Sequence, residues 1–184
     1  HAEFKHLKRK KILVAGSSGL IGRQLVAFLD TGGHDVWRLV RRSVKPDSKE
    51  ISWSPDSGDL DAKQLEGFDT IIHLGGAGIG DKRWSKSRMR LIEESRTIST
   101  TLLSETIANL KKKPESFIVA SAVGWYGERG DEILDENSTA GKGFLPETCA
   151  RWEDSCQAAK AAGVRTVHLR TGIVCLLYTS PSPR

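Results

Sequence analysis

The chain has 184 residues, 38% hydrophobic and 28% charged, which suits one soluble-type domain and excludes a disordered or collagen-like chain. No apolar run approaches the roughly 18 residues that a membrane-crossing helix needs. The formal net charge is +5, but no aromatic platform or base-reading motif accompanies the basic clusters at Lys5–Lys11, Arg41–Arg42 and Lys111–Lys113, so nucleic-acid binding is not expected.

In chain order, Lys11 to Gly16 reads as a short buried strand. Ile21, Leu25 and Phe28/Leu29 follow at helical spacing, and Thr31-Gly-Gly33 ends that helix. Val36 to Val40 is a second strand and Ile51 to Trp53 a short third. Pro55 to Gly58 is a turn cluster. Thr70 to Leu74 is the fourth strand, opening into Gly75-Gly-Ala-Gly78. A long helix is expected from about Lys86 to Leu110, with Leu103, Ile107 and Leu110 on one face. Phe117 to Ala120 is a strand, and residues 127–143 read as an exposed loop. A helix from about Pro146 to Ala162 carries Trp152, Cys156 and Ala159 on one stripe. Val167 to Leu169 is the last strand. Short apolar strands alternating with helices imply an α/β fold, a Rossmann-type doubly wound parallel sheet with helices on both faces.

The strongest motif joins the first strand to the first helix. Gly16, Ser17, Ser18, Gly19, Leu20, Ile21 and Gly22 form a G-x-x-G-x-x-G loop in the context that gives such a pattern meaning. Glycines there permit a tight turn and close backbone approach to a pyrophosphate, which the helix N-terminus attracts. The second strand ends in Arg41-Arg42, where an acidic residue would select NAD; Asp35 lies at its other end. Two guanidiniums suit a 2′-phosphate, so NADP is the expected cofactor. Leu74, Gly75 and Gly76 end the fourth strand at the switch point, where small residues let a ligand lie close.

Three cysteines in no metal-like spacing point to a reduced compartment and to no metal site. The first apolar block is too short for a secretory signal, so a cytoplasmic protein is expected. The chain opens on His1 rather than Met, which leaves organellar import open.

These residues resemble a known family. The glycine loop, Asp69 to Gly78 and Ser121-Ala-Val-Gly-Trp-Tyr-Gly127 are similar to the extended short-chain dehydrogenase/reductases. Gly76 to Trp84, Glu94-Ser-Arg96, Trp152-Glu153 and Arg170 to Val174 resemble their atypical sugar-nucleotide-epimerase-like branch, within the NAD-dependent epimerase/dehydratase superfamily. The resemblance spans about residues 10–175. It implies that Arg41, Leu74, Gly75, Arg96 and Val174 lie near the cofactor. It implies that Ser121 contacts a small-molecule substrate, a nucleotide sugar being the group's usual class. The Tyr-x-x-x-Lys pair of conventional members is absent; Cys149 and Glu153 stand at those places. Tyr126 is then a packing residue or a proton donor, and Glu153 an acid/base or an exposed helix carboxylate. Two functions follow: an NADP-dependent oxidoreductase or epimerase-like enzyme, or a non-catalytic NADP-binding sensor. After Val174 the glycine-rich continuation and smaller substrate domain of the family are not seen. Residues 176–184 read as a non-native tail, so a truncated Rossmann domain at 10–175 is expected.

Overall fold

The computed structural model describes residues 8–174; the expected tail at 176–184 lies outside them. Six strands form one sheet in the order β3-β2-β1-β4-β5-β6. They are β1 (Lys11–Ala15), β2 (Asp35–Val40), β3 (Glu50–Ser52), β4 (Thr70–His73), β5 (Ser116–Ala122) and β6 (Arg165–Thr171). Every neighbouring pair is parallel. The order reverses direction between β1 and β4, which creates the switch point that the sequence pattern predicts.

Among the described residues four α-helices cover the sheet: α1 (Leu20–Thr31), α2 (Lys86–Asn109), α3 (Phe144–Asp154) and α4 (Gln157–Ala161). Strand residues alternate between two apolar layers. Leu13, Ala15, Leu39, Ile71, Phe117 and Val119 meet Leu103 and Ile107 of α2 and Trp152 of α3 on one face. Ile12, Val14, Val36 and Ile72 meet Val26 of α1 on the other. Central strands buried on both faces explain the uninterrupted apolar run Ile-Leu-Val-Ala in β1.

One expected element is divided. The helix expected over 146–162 is broken between α3 and α4. The Cys156 amide bonds back to Glu153 O, and the Ala159 amide leaves the helical ladder for Ser104 Oγ on α2 at 2.9 Å. At its start α2 is capped by Ser85, whose Oγ accepts from the Arg88 amide at 3.2 Å.

Candidate functional site

A cleft of about 850 Å³ opens at the carboxyl ends of β1, β2 and β4. Its floor is the turn after β1. Gly16 has φ +80, and a Cβ there would lie 2.8 Å from Gly75 N and from Leu74 C. The turn and the end of β4 therefore touch backbone to backbone. A Cβ on Gly22 would fall 2.2 Å from Gly16 O, so the first turn of α1 closes onto the loop only without a side chain. That turn has no acidic residue and no side-chain cap at Gly19, so its positive end is left for an anion.

The end of β4 forms the opposite wall. His73 is fully buried against the edge of the Trp53 ring. Ser99 Oγ donates to Ser95 O at 2.7 Å, so His73 Nε2–H donates to Ser99 Oγ at 2.9 Å. Nδ1 then accepts from the Gly75 amide at 3.4 Å. Burial, helped by the Arg96 charge, pushes the His73 pKa down to about 4, so the ring is neutral. The next amide but one, Ala77 N, is held by Ser95 Oγ at 3.0 Å. The loop after β4 is thus fixed by two polar side chains of α2 and by the histidine that precedes it.

A second group of polar residues gathers where β5 and β6 end. Arg170 donates from Nε and Nη2 to the two oxygens of Glu153, each at 2.9 Å. Ser121 Oγ donates to the same carboxylate at 2.7 Å. Arg170 also stacks 3.9 Å from the Trp125 ring centroid, and its Nη1 donates to Tyr126 Oη at 3.2 Å. Burial alone would raise the Glu153 carboxyl; the Arg170 and Ser121 hydrogen bonds outweigh it and hold the group below its ordinary value. His168, on the same strand as Arg170, is kept neutral by burial against the pull of Glu153, and neither ring nitrogen has a partner among the described residues. Cys149 is buried in α3, and burial pushes its thiol up. Among the described residues no cluster of metal-ligating side chains occurs, and no helix is long and apolar enough to cross a membrane.

The family model described as "NAD dependent epimerase/dehydratase family" matches residues 12–172. The chain belongs to that family. An epimerase family protein of Mycobacterium leprae is 40% identical over 167 residues, 91% of this chain and 53% of its own length. A solved nucleoside-diphosphate sugar epimerase of Corynebacterium glutamicum is 40% identical at a TM-score of 0.78, covering 90% of this chain and 34% of that one. A human epimerase family protein solved with NADPH is 26% identical at a TM-score of 0.78, covering 93% and 56%. The chain spans about half the length of the curated relatives it matches.

In this member of the epimerase/dehydratase family, the structure brings Gly16, Ser17, Ser18, Arg41, Arg42, Gly75 and Gly76 together in the cleft. Leu20 and Ile21 lie on the first turn of α1 with exposed side chains and do not line the cleft. Leu74 packs behind the loop against the α1-side core. Val174 follows β6 and is exposed. Arg96 is not a solvated helix arginine. Its guanidinium lies 3.1 Å from the point a Gly76 Cβ would occupy, and it stacks 5.1 Å from the Trp152 ring centroid. Burial lowers its pKa, and among the described residues the guanidinium makes one hydrogen bond, to Ile92 O at 2.8 Å. Glu153 is not an exposed helix carboxylate but a buried, ion-paired one. The sequence pattern does not single out His73, Trp53, Ser95, Arg23 or Arg38, all of which line the cleft. A histidine inside an otherwise apolar strand is the one available signal among them.

Proposed function

We propose that this chain binds NADP in the cleft and that the full-length protein is an oxidoreductase or epimerase-like enzyme acting on a small molecule, with nucleotide sugars as the first class to test. The glycine cradle carries the proposal: Gly16 and Gly22 leave no room for a Cβ where a pyrophosphate would meet the N-terminus of α1. The residues present therefore fit a dinucleotide. Arg41 after β2 supplies positive charge where NAD-selective sites carry a carboxylate, whereas the charge of Arg42 is balanced by Glu50 at 2.7 Å. Arg96, desolvated beside Gly76 with no carboxylate partner among the described residues, supplies a further cation toward the same ligand. The solved relatives named above, one an NADPH complex and one a nucleoside-diphosphate sugar epimerase, support both halves of the reading.

Bound there, the nicotinamide would accept or donate hydride. The protein's own contribution lies at the end of β5. Tyr126 Oη accepts from Arg170, so its own hydrogen remains available for a substrate oxygen. Ser121 gives its hydrogen to Glu153 and offers lone pairs to a substrate donor. Glu153 holds Arg170 in place and acts as a positioning residue. A cytoplasmic location, or an organelle holding the same dinucleotides, suits this role.

A second reading, a non-catalytic NADP sensor, is favoured by one observation. The two places that carry the Tyr and Lys of conventional members hold a buried thiol and a salt-bridged carboxylate. Titration with NADPH and NADH, followed by cofactor fluorescence, tests the cofactor. NADPH is expected to bind more tightly, and Arg41→Glu to weaken NADPH by about tenfold or more while sparing NADH. An unchanged NADPH affinity in that variant overturns the role of Arg41. Loss of reduced-nicotinamide absorbance with a carbonyl substrate separates enzyme from sensor.

A further inference from the structure

Two arginines outside the glycine and Arg41-Arg42 motifs reach the same end of the cleft. Side chains alternate along β2. Val36 points toward α1 and packs with Val14 and Val26. Arg38, two residues later, leaves the strand on the same face, and its register partner on β1 is Val14, two residues before Gly16. α1 connects the parallel strands β1 and β2, so it returns antiparallel to them, with its first turn over their carboxyl ends. Arg23 directly follows Gly22 and lies three residues before Val26 on one helix face. Helix and strand thus deliver Arg23 and Arg38 to one corner, and both line the cleft with Arg41.

The charge at this corner is unbalanced. Arg42 is ion-paired with Glu50 at 2.7 Å. Glu50 is also the register partner of Arg38, but its carboxylate is engaged by Arg42. Asp56 and Glu94 also line the cleft, but among the described residues neither forms an ion pair with Arg23, Arg38 or Arg41. Among the described residues, Arg23, Arg38 and Arg41 form no salt bridge. Guanidiniums gathered without a counter-charge repel one another until an anion arrives. A phosphomonoester dianion matches their forked donors.

We infer that Arg23 and Arg38, with Arg41, receive the 2′-phosphate of NADP, and that Arg23 and Arg38 set the preference for NADP over NAD. This rests on the cofactor proposed above. With a pyrophosphate at the N-terminus of α1, the adenosine ribose would lie toward the end of β2, on the side of the cleft that Arg38 and Arg41 line together with Arg23 of α1.

The test is a titration of the chain and of its Arg23→Gln, Arg38→Gln and doubly substituted forms with NADPH and with NADH. Each single change is expected to weaken NADPH by about tenfold while NADH stays within about twofold, the loss expected for a charge-assisted hydrogen bond. Arg38→Lys, which keeps the charge but not the fork, is expected to fall between. If the chain prefers NADPH and the double variant keeps that preference, the roles of Arg23 and Arg38 are overturned and the cofactor reading stands. If the chain binds both dinucleotides alike, or neither, the cofactor reading falls and this inference with it. Salt gives an answer without substitution: the NADPH-to-NADH affinity ratio of the chain is expected to shrink as ionic strength rises. A flat ratio overturns the arginine receptor.

Discussion

Replacing Glu153 by Gln isolates the charge of the buried ion pair. Glutamine keeps the volume and one acceptor, so no cavity opens. What goes is the negative charge facing Arg170, which donates to it twice at 2.9 Å. Side-chain exposure is 17% for Arg170 and 10% for Glu153, so little water is at hand to replace the lost partner. Breaking such a buried pair costs about 3–5 kcal/mol. Arg170 keeps the Trp125 face and Tyr126 Oη, which brings the expected loss to about 2–3 kcal/mol. For a chain of this size that is a fall of roughly 5–10 °C in melting temperature. The pH dependence has a definite sign. A carboxyl held low in the folded state stabilises above its unfolded value of about 4.3, and that contribution disappears as pH falls through the folded value. Thermal melts of both forms should therefore differ fully at about pH 7 and converge only as pH falls through the folded value of Glu153, below the ordinary carboxylate range. Coincident melts at neutral pH would refute the reasoning.

Other expectations concern the cleft and the core. His73 is held neutral by burial, with a folded pKa of about 4 against an ordinary 6.5, so stability should fall as pH drops through that window. The fall is about 3 kcal/mol, and His73→Gln should remove it in urea titrations across the same window; an unaltered slope would count against the assignment. Gly22→Ala places a Cβ 2.2 Å from Gly16 O and should abolish NADPH binding by calorimetry; retained affinity would mean that the loop is not the pyrophosphate cradle. Cys149 and Cys156 are buried, and burial pushes the Cys156 thiol up to about 12. Peptide mapping after brief alkylation at neutral pH should find both unlabelled in the native protein and labelled in denaturant.

The cleft was the most legible part of the sequence, because its chemistry is local. The glycine loop, the Arg41-Arg42 terminus and Gly75-Gly76 each sit at a strand end that periodicity alone locates, and the fold brings them together. The helix break was not legible. Trp152, Cys156 and Ala159 keep helical spacing through it, and no Gly or Pro marks the site. Beyond the interruption, Ser104 of another helix takes the Ala159 amide, a contact between residues 55 apart that helical spacing does not reveal. The setting of Glu153 was hidden for a similar reason. Its partner is 17 residues away on β6, a separation that no helical pairing rule connects. Arg23 and Arg38 look like ordinary surface arginines until α1 folds back over β2.

The Arg170 clasp also divides the molecule in time. Every residue lining the cleft lies between Gly16 and Ser99, whereas Ser121, Tyr126 and Glu153 take their final arrangement only once Arg170 has docked. During synthesis the elements of the cleft leave the ribosome first, and the group at the end of β5 waits for β6. Until then Glu153 is a carboxylate without its counter-charge. The residues of the cleft can therefore meet one another before the β5 group has its counter-charge.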